Sequence, residues 1–340
     1  MRRIAATLVL LLLAASAQAA DDIRTLVEGA VLTELRWPDV SDYRKHLDAF
    51  YRTRNDAPAW TRNGRATQQA IAITRLFAAA DDKGVRASDY DGDRWAARIA
   101  DLTAGASAGE LARFDVALTA TLMRYISDLH IGRVNPRRVD FLIDVNPKKY
   151  DLPNVVAALI DESDIAGRLE TIEPRYDGYR RLRDMLVRYR ALAAEGEPDP
   201  LPQARIVEPG SAWPGVPALA AFLRRVGDLD TSFASGTYDG ALVDAVKRFQ
   251  ERHGLDVDGR IGPGTFRALR VPLSRRVEQI ELSLERWRWA PTEIEGTPIV
   301  VNIPEFRLSA YDSDSKVELA MMSSSASHSQ AVRLPCSATR

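Results

Sequence analysis

The chain of 340 residues holds one cysteine, Cys336, and four histidines, His46, His130, His253 and His328. A single cysteine excludes an intramolecular disulfide framework and any thiolate zinc cluster. Histidines this far apart share no metal-ligand spacing, so no metal and no cofactor are expected. Net charge is nearly absent as well. Lys and Arg number 46 against 47 for Asp and Glu, a formal −1, which argues against a polybasic nucleic-acid or membrane-surface binder. Apolar runs long enough to span a bilayer are missing after the first twenty residues. Low-complexity blocks are missing too. With 46% hydrophobic and 27% charged residues the composition is globular, and the length asks for two or three domains of about 100–200 residues each.

What is present begins at the first residues. Arg2 and Arg3 form a positive start, Ile4–Ala15 an apolar stretch, and Ala17-Gln18-Ala19 a small-residue cleavage signal. The stretch is shorter than the about 20 residues a membrane span needs, so residues 1–19 are expected to be a cleaved signal peptide. Arg2 and Arg3 leave with it, taking the mature chain to 44 basic and 47 acidic residues, a net −3.

From 22 to 195 the apolar spacing is helical. Ala70, Ile71, Ile73, Thr74, Leu76, Phe77 and Ala78 make one stripe, ended by Gly84 in a position suited to a C-terminal cap. Leu111–Leu129 makes a broader one, Val155–Ile160 and Ile165–Ile172 two short helices, and Tyr179–Ala194 an Arg-rich amphipathic helix. No strand-like alternation is read here, and an all-α domain is expected. Residues 196–210 hold Pro198, Pro200, Pro202 and Pro209 and read as a linker. Residues 211–272 then carry helices at Val216–Val226, Tyr238–His253 and Pro263–Leu269, with a glycine-punctuated turn from Gly254 to Gly262. After a helix at Val277–Trp289 the period changes. Ile299–Ile303, Phe306–Tyr311 and Val317–Met321 read as strands. The whole is mainly α, with strands only late in the chain.

The middle segment resembles the bacterial peptidoglycan-binding domain. The matching residues are Tyr238-Asp239, Leu242, Val246, Phe249-Gln250, His253-Gly254-Leu255, Asp258-Gly259, Ile261-Gly262, Thr265 and Leu269. Phe249, with Leu219, Leu223, Leu242, Val246 and Leu269, is expected to fill a small three-helix core, while Gly254 and Gly259 permit left-handed turns. The resemblance implies contact with glycan strands or stem peptides near the Tyr238–Gln250 helix and the Asp258–Ile261 turn. The candidate contacts are Tyr238, Asp239, Gln250, His253, Asp258 and Arg260.

The flanks resemble large periplasmic L,D-transpeptidases that carry an N-terminal scaffold domain. The residues are Phe50-Tyr51, Pro58-Ala59-Trp60-Thr61, Asn63-Gly64-Arg65, Gly132-Arg133-Val134-Asn135-Pro136, Leu169–Pro174, Tyr179-Arg180-Arg181-Leu182, and Arg276–Trp289 followed by Ile299-Val300-Val301-Asn302-Ile303-Pro304. That family joins two meso-diaminopimelate residues of peptidoglycan through a cysteine acyl-enzyme, without ATP or metal. The resemblance implies a scaffold domain at 22–195, a periplasmic location and peptidoglycan as partner. It implies also that 277–321 is the incomplete start of the β catalytic domain.

The family's nucleophile lies in a Ser/His-Gly-Cys-x-Arg motif, and no such motif occurs here. Cys336, in Leu334-Pro335-Cys336-Ser337 with only His328 nearby, lacks a base and an oxyanion hole to activate it. No catalytic residue is assigned, and the sequence as written is expected to be inactive. The polar stretch 322–340 reads as an aberrant tail of the kind a frameshift after Met321 produces, a genuine variable terminus being the alternative. Restoring the frame, or a working Cys336, would make the protein an active transpeptidase. Four other readings are weaker. Trp287 and Trp289 beside Arg288 are expected to pack a core more than to stack on sugars. The Arg-rich helix reads as a solvated face. A helix-turn-helix at Leu242–Leu269 would need DNA that an exported, mildly acidic chain does not meet, and a glycosidase would need two placed carboxylates that no pattern marks.

Overall fold

The computed structural model describes residues 18–102, 105–136, 148, 150–230, 236–291, 299–302, 307–311 and 317–322. Residues 1–17 of the expected signal, and the tail from 323 with His328 and Cys336, lie outside them. Two compact units emerge from the contacts: Met1–Glu197 with Pro272–Glu293, and Pro198–Val271 with Ile294–Arg340. Among the described residues no helix is long and apolar enough to cross a membrane.

The first unit is built from α1 (residues 18–29), α2 (Arg44–Arg52), α3 (Gln68–Ala78), α4 (Trp95–Asp101), α5 (Ala108–His130), α6 (Leu152–Ala158), α7 (Ile165–Glu170), α8 (Asp177–Ala194) and α12 (Leu273–Trp289). Helix α5 is its axis. Ser107 and Glu110 form a reciprocal capping box at its start, satisfying backbone donors that a helix end leaves unpaired. Most of its residues are buried in one core with Leu47, Phe50, Trp60, Ile73, Phe77 and Trp95. Gly84, expected to end the Ala70–Ala78 stripe, instead closes the 3-10 turn Ala80–Lys83 that follows α3, at φ 71°, while α3 itself is capped at Ala79.

Two features differ from the sequence reading. The all-α unit contains a small hairpin, β1 (Thr61–Arg62) with β2 (Arg65–Ala66). Its turn is Asn63-Gly64, both with positive φ, the two-residue pattern that reverses an antiparallel pair without splaying it. Strands of two residues are too short to show alternation. The second difference is α12. The sequence groups it with the strands that follow, whereas it packs along α8 through Tyr179, Leu186 and Leu284, flanked by Leu182, Val277, Ile280 and Trp287. Glu197, just past α8, accepts from the Leu273 and Ser274 backbone N–H groups at 2.7 and 2.9 Å. Its carboxylate therefore caps α12 at the positive end of that helix.

The seat of α12 explains the Gly132-Arg133-Val134 run. Glu285 Oε1 accepts from the N–H groups of Arg133 and Val134 at 2.7 and 2.9 Å, and from Trp289 Nε1 at 3.0 Å. A Cβ on Gly132 would fall 2.7 Å from that oxygen. Trp287 tilts onto Tyr176 at 5.1 Å, and Arg288 is fully buried, donating to the carbonyl of Lys83 and to Tyr179 OH. The three residues are packing groups. The Arg-rich helix α8 is likewise less solvated than its pattern implies. Arg183 pairs with buried Glu173 at 3.0 Å, and Arg190 with Asp81 at 3.1 Å.

In the second unit, α9 (Val216–Val226), α10 (Gly240–Arg252) and α11 (Pro263–Leu269) form the expected three helices. Leu219, Leu223, Leu242, Val246, Phe249 and Leu269 are all buried. Three late strands, β3 (Ile299–Asn302), β4 (Arg307–Tyr311) and β5 (Val317–Met322), pair antiparallel in that order.

Candidate functional site

The residues proposed for wall contact converge on the turn between α10 and α11, in two classes. Tyr238 and Gln250 are buried and hold the turn from inside. Tyr238 OH donates to the Gly259 carbonyl at 2.5 Å. The Gln250 amide nitrogen reaches Asp258 Oδ1, the Arg260 carbonyl and Thr265 Oγ1 at 3.0, 2.9 and 3.2 Å, and Gly259 N–H donates to its oxygen at 2.9 Å. A buried amide whose donors and acceptor are all used has its desolvation cost offset by those bonds and fixes its surroundings. These two residues shape the site and are withdrawn from any ligand. Burial, with Asp258 adding, raises the Tyr238 phenol above its ordinary range.

Asp239, His253, Asp258 and Arg260 reach solvent to differing degrees. Asp239 opens α10 without a side-chain cap bond, so its carboxylate stays outside the helix. His253 is half-buried, stacked on Phe249 with ring centres 3.9 Å apart and Nδ1 2.7 Å from the Phe249 carbonyl. One ring nitrogen is thereby spent on the helix. Asp258 is exposed. Desolvation pushes its carboxyl up, but the Arg260 N–H, the Gln250 amide and the Arg260 charge outweigh that and hold it below its ordinary value. Arg260 grips Glu208 through Nε at 3.0 and 2.9 Å and Nη2 at 2.6 Å, a forked geometry of the kind guanidinium and carboxylate favour.

Two apolar side chains were missed. Val257 on the turn is 52% exposed and Ile206 is 44% exposed. A valine between two aspartates inside a glycine-bracketed turn is the only sequence signal Val257 offers. Gly259 stands at φ 74°, where a Cβ would fall 2.9 Å from Val243 Cγ1. The end of the expected linker is not loose. Val207 and Ile261 exchange backbone bonds at 3.2 and 3.0 Å, and Gly210 N–H donates to the Tyr238 carbonyl at 2.7 Å. The turn thus presents Val257, Asp258 and the Arg260–Glu208 pair on a rigid frame. Such a surface can hydrogen-bond hydroxyl and amide groups in both senses, and it offers no nucleophile.

Comparison with known families agrees with both units. A search among curated proteins finds no match. Residues 45–186 match the family described as "Scaffold domain", and residues 214–269 that described as "Putative peptidoglycan binding domain". The first spans α2 to the middle of α8, and the second contains α9, α10, the turn and α11. A scaffold domain followed by a peptidoglycan binding domain matches the N-terminal part of L,D-transpeptidases.

Proposed function

We propose that the protein is an exported, periplasmic peptidoglycan-binding protein of the L,D-transpeptidase lineage, attached to the wall by residues 206–272. The observation that carries this reading is the family match at 214–269, laid on a module whose hydrogen-bonded turn exposes Val257, Asp258 and Arg260. Sugar hydroxyls and peptide amides are neutral donors and acceptors, and a fixed turn bearing a carboxylate and a guanidinium meets both. The test is cosedimentation with purified sacculi. The mature chain is expected to pellet with them, and a form in which a short Gly-Ser linker replaces residues 198–271 to pellet far less. Equal retention of that shortened form would move wall binding to the scaffold unit.

The proposal includes inactivity of the sequence as written. The chain has no Ser/His-Gly-Cys-x-Arg motif, and acyl transfer through a thiol loses its whole mechanism without a positioned cysteine. A second reading, an active transpeptidase, draws on the same two family matches. It requires either a restored frame after Met321 or a working Cys336. Incubation with tetrapeptide-bearing muropeptides, read by mass spectrometry, decides between them. The expected result is no 3–3 dimers. Dimers that vanish on Cys336→Ala would make that thiol the nucleophile.

A further inference from the structure

Away from the wall-binding turn, the scaffold unit has a cleft of about 300 Å³ lined by Trp37, Asp89, Arg124, Asp128 and Arg133. That volume is at the small end of ligand sites. We propose that this cleft binds a small zwitterion, an amino acid or short-peptide end carrying both a free ammonium and a free carboxylate, with Arg124 taking the carboxylate and Asp128 the ammonium.

The charges in the cleft are of both signs and unequally spent. Arg133 and Asp89 neutralise each other at 2.7 Å. Among the described residues Arg124 donates two long hydrogen bonds, 3.5 Å each to the carbonyls of Trp37 and Asp39, and lies within the field of the Asp39 and Asp128 carboxylates, so most of its five donors remain available. Among the described residues Asp128 accepts one bond, from Tyr90 OH at 2.7 Å, which leaves lone pairs on a recessed carboxylate. Among the described residues neither takes the other as an ion-pair partner. The two stand four residues apart on α5, hence neighbours on one face with Cβ atoms about 5–6 Å apart, from which their charged ends can reach the two ends of one small ligand. An anion alone would meet the two aspartates, and a cation alone the two arginines. A zwitterion answers both. Trp37, 51% exposed, adds an indole face against which an aliphatic or ring portion can rest. Burial, with Glu285 adding, pushes the Asp128 carboxyl up to about 6 against the pull of Tyr90, Arg133 and Arg124, and a ligand ammonium would favour the ionised form.

The choice of source rests on the wall-binding reading. Stem peptides offer such ends where a diamino acid keeps one ammonium and one carboxylate free, and free amino acids are the other source. Isothermal titration of the mature chain separates them, using a stem tripeptide ending in diaminopimelate, the same tripeptide with its ammonium groups acetylated, and free alanine. Saturable binding of the tripeptide, weakened at least about tenfold by acetylation, is expected. Tighter binding of alanine than of tripeptide would keep the zwitterion and assign the source to free amino acids. Trp37→Ala and Arg124→Gln, both away from the core, are each expected to cost about tenfold in affinity with the thermal melt unchanged. Phe249→Ala, which disrupts only the wall-binding module, should weaken cosedimentation with sacculi and leave binding of the tripeptide in solution intact, so the two readings fail separately. Absence of binding by any zwitterion, equal affinity for the acetylated peptide, or wild-type affinity in both cleft variants would overturn the proposal.

Discussion

Gln250 and Asp115 are buried polar residues that do comparable work in different units. Each holds a stretch of irregular backbone against a helix by offering oxygen to N–H groups that would otherwise be orphaned. Asp115, on α5, accepts from Ala59 N–H at 2.9 Å, Trp60 N–H at 2.7 Å and Tyr51 OH at 2.8 Å, and Trp60 Nε1 donates to the neighbouring Thr119 at 2.9 Å. That network is the physical content of the Phe50-Tyr51 and Pro58-Ala59-Trp60 runs. Burial nevertheless dominates and pushes the Asp115 carboxyl up to about 6, the three donors pulling it down. A folded value above the unfolded one means that the folded state binds more protons between about pH 4 and 6, so this group's contribution to stability falls as pH rises through that window. Asp115→Asn removes the titration. The stability advantage of the wild type over this variant should be greatest below about pH 4 and narrow by ~3 kcal/mol by about pH 7, because the carboxyl titrates about two pH units higher in the folded chain and each is worth about 1.4 kcal/mol. Urea unfolding across that range measures it, and a gap that widens with pH would refute the assignment.

At the scale of helices, two substitutions probe whether packing has been read correctly. Phe249→Ala empties the centre of the α9–α10–α11 core, where Phe249 is fully buried and meets Phe222 edge-on at 6.1 Å. The expected loss is about 3–5 kcal/mol, most of a small module's stability, seen as a lowered or absent melt for that module. Gly132→Ala should unseat α12, since a Cβ there meets Glu285 and Trp289 at 2.7 and 2.9 Å with the backbone at φ 95°. A cost of about 2–4 kcal/mol is expected, with amides of α12 losing hydrogen-exchange protection while those of α5 keep theirs. The helices themselves were legible because the apolar stripes on α3, α5, α9 and α10 are strongly periodic and glycine or proline marks an end of the last three. Their partners were not. Nothing in the spacing of 273–289 says that its apolar face belongs to α8, because a stripe records which side is buried and not against what. The site was half legible for a related reason. Tyr238 and Gln250 belong to the matching pattern, and a pattern preserves turn-builders as readily as surface contacts.

Across the whole chain, the first unit is interrupted at Glu197 and resumes at Pro272, yet its two broken ends meet, the Glu197 carboxylate being bonded to the Leu273 and Ser274 amides. Everything between is an insertion whose removal leaves no gap wider than a few residues can close. Loop-closure entropy rises only slowly with length, by about 0.6 kcal/mol per doubling, so an insertion of this kind costs its host little, and a short linker in its place should cost no more. The consequence is a definite expectation for the variant with a short Gly-Ser linker in place of residues 198–271. Its scaffold unit should melt within a few degrees of the same transition in the parent, because the α8–α12 contacts through Tyr179, Leu186 and Leu284 and the Glu285 bonds to Arg133 and Val134 all lie outside the excised segment. Excised residues 206–272 should in turn melt cooperatively alone. If the linker variant unfolds at a much lower temperature, or loses exchange protection along α12, the helix depends on the inserted module for its place, and the two units are not separable.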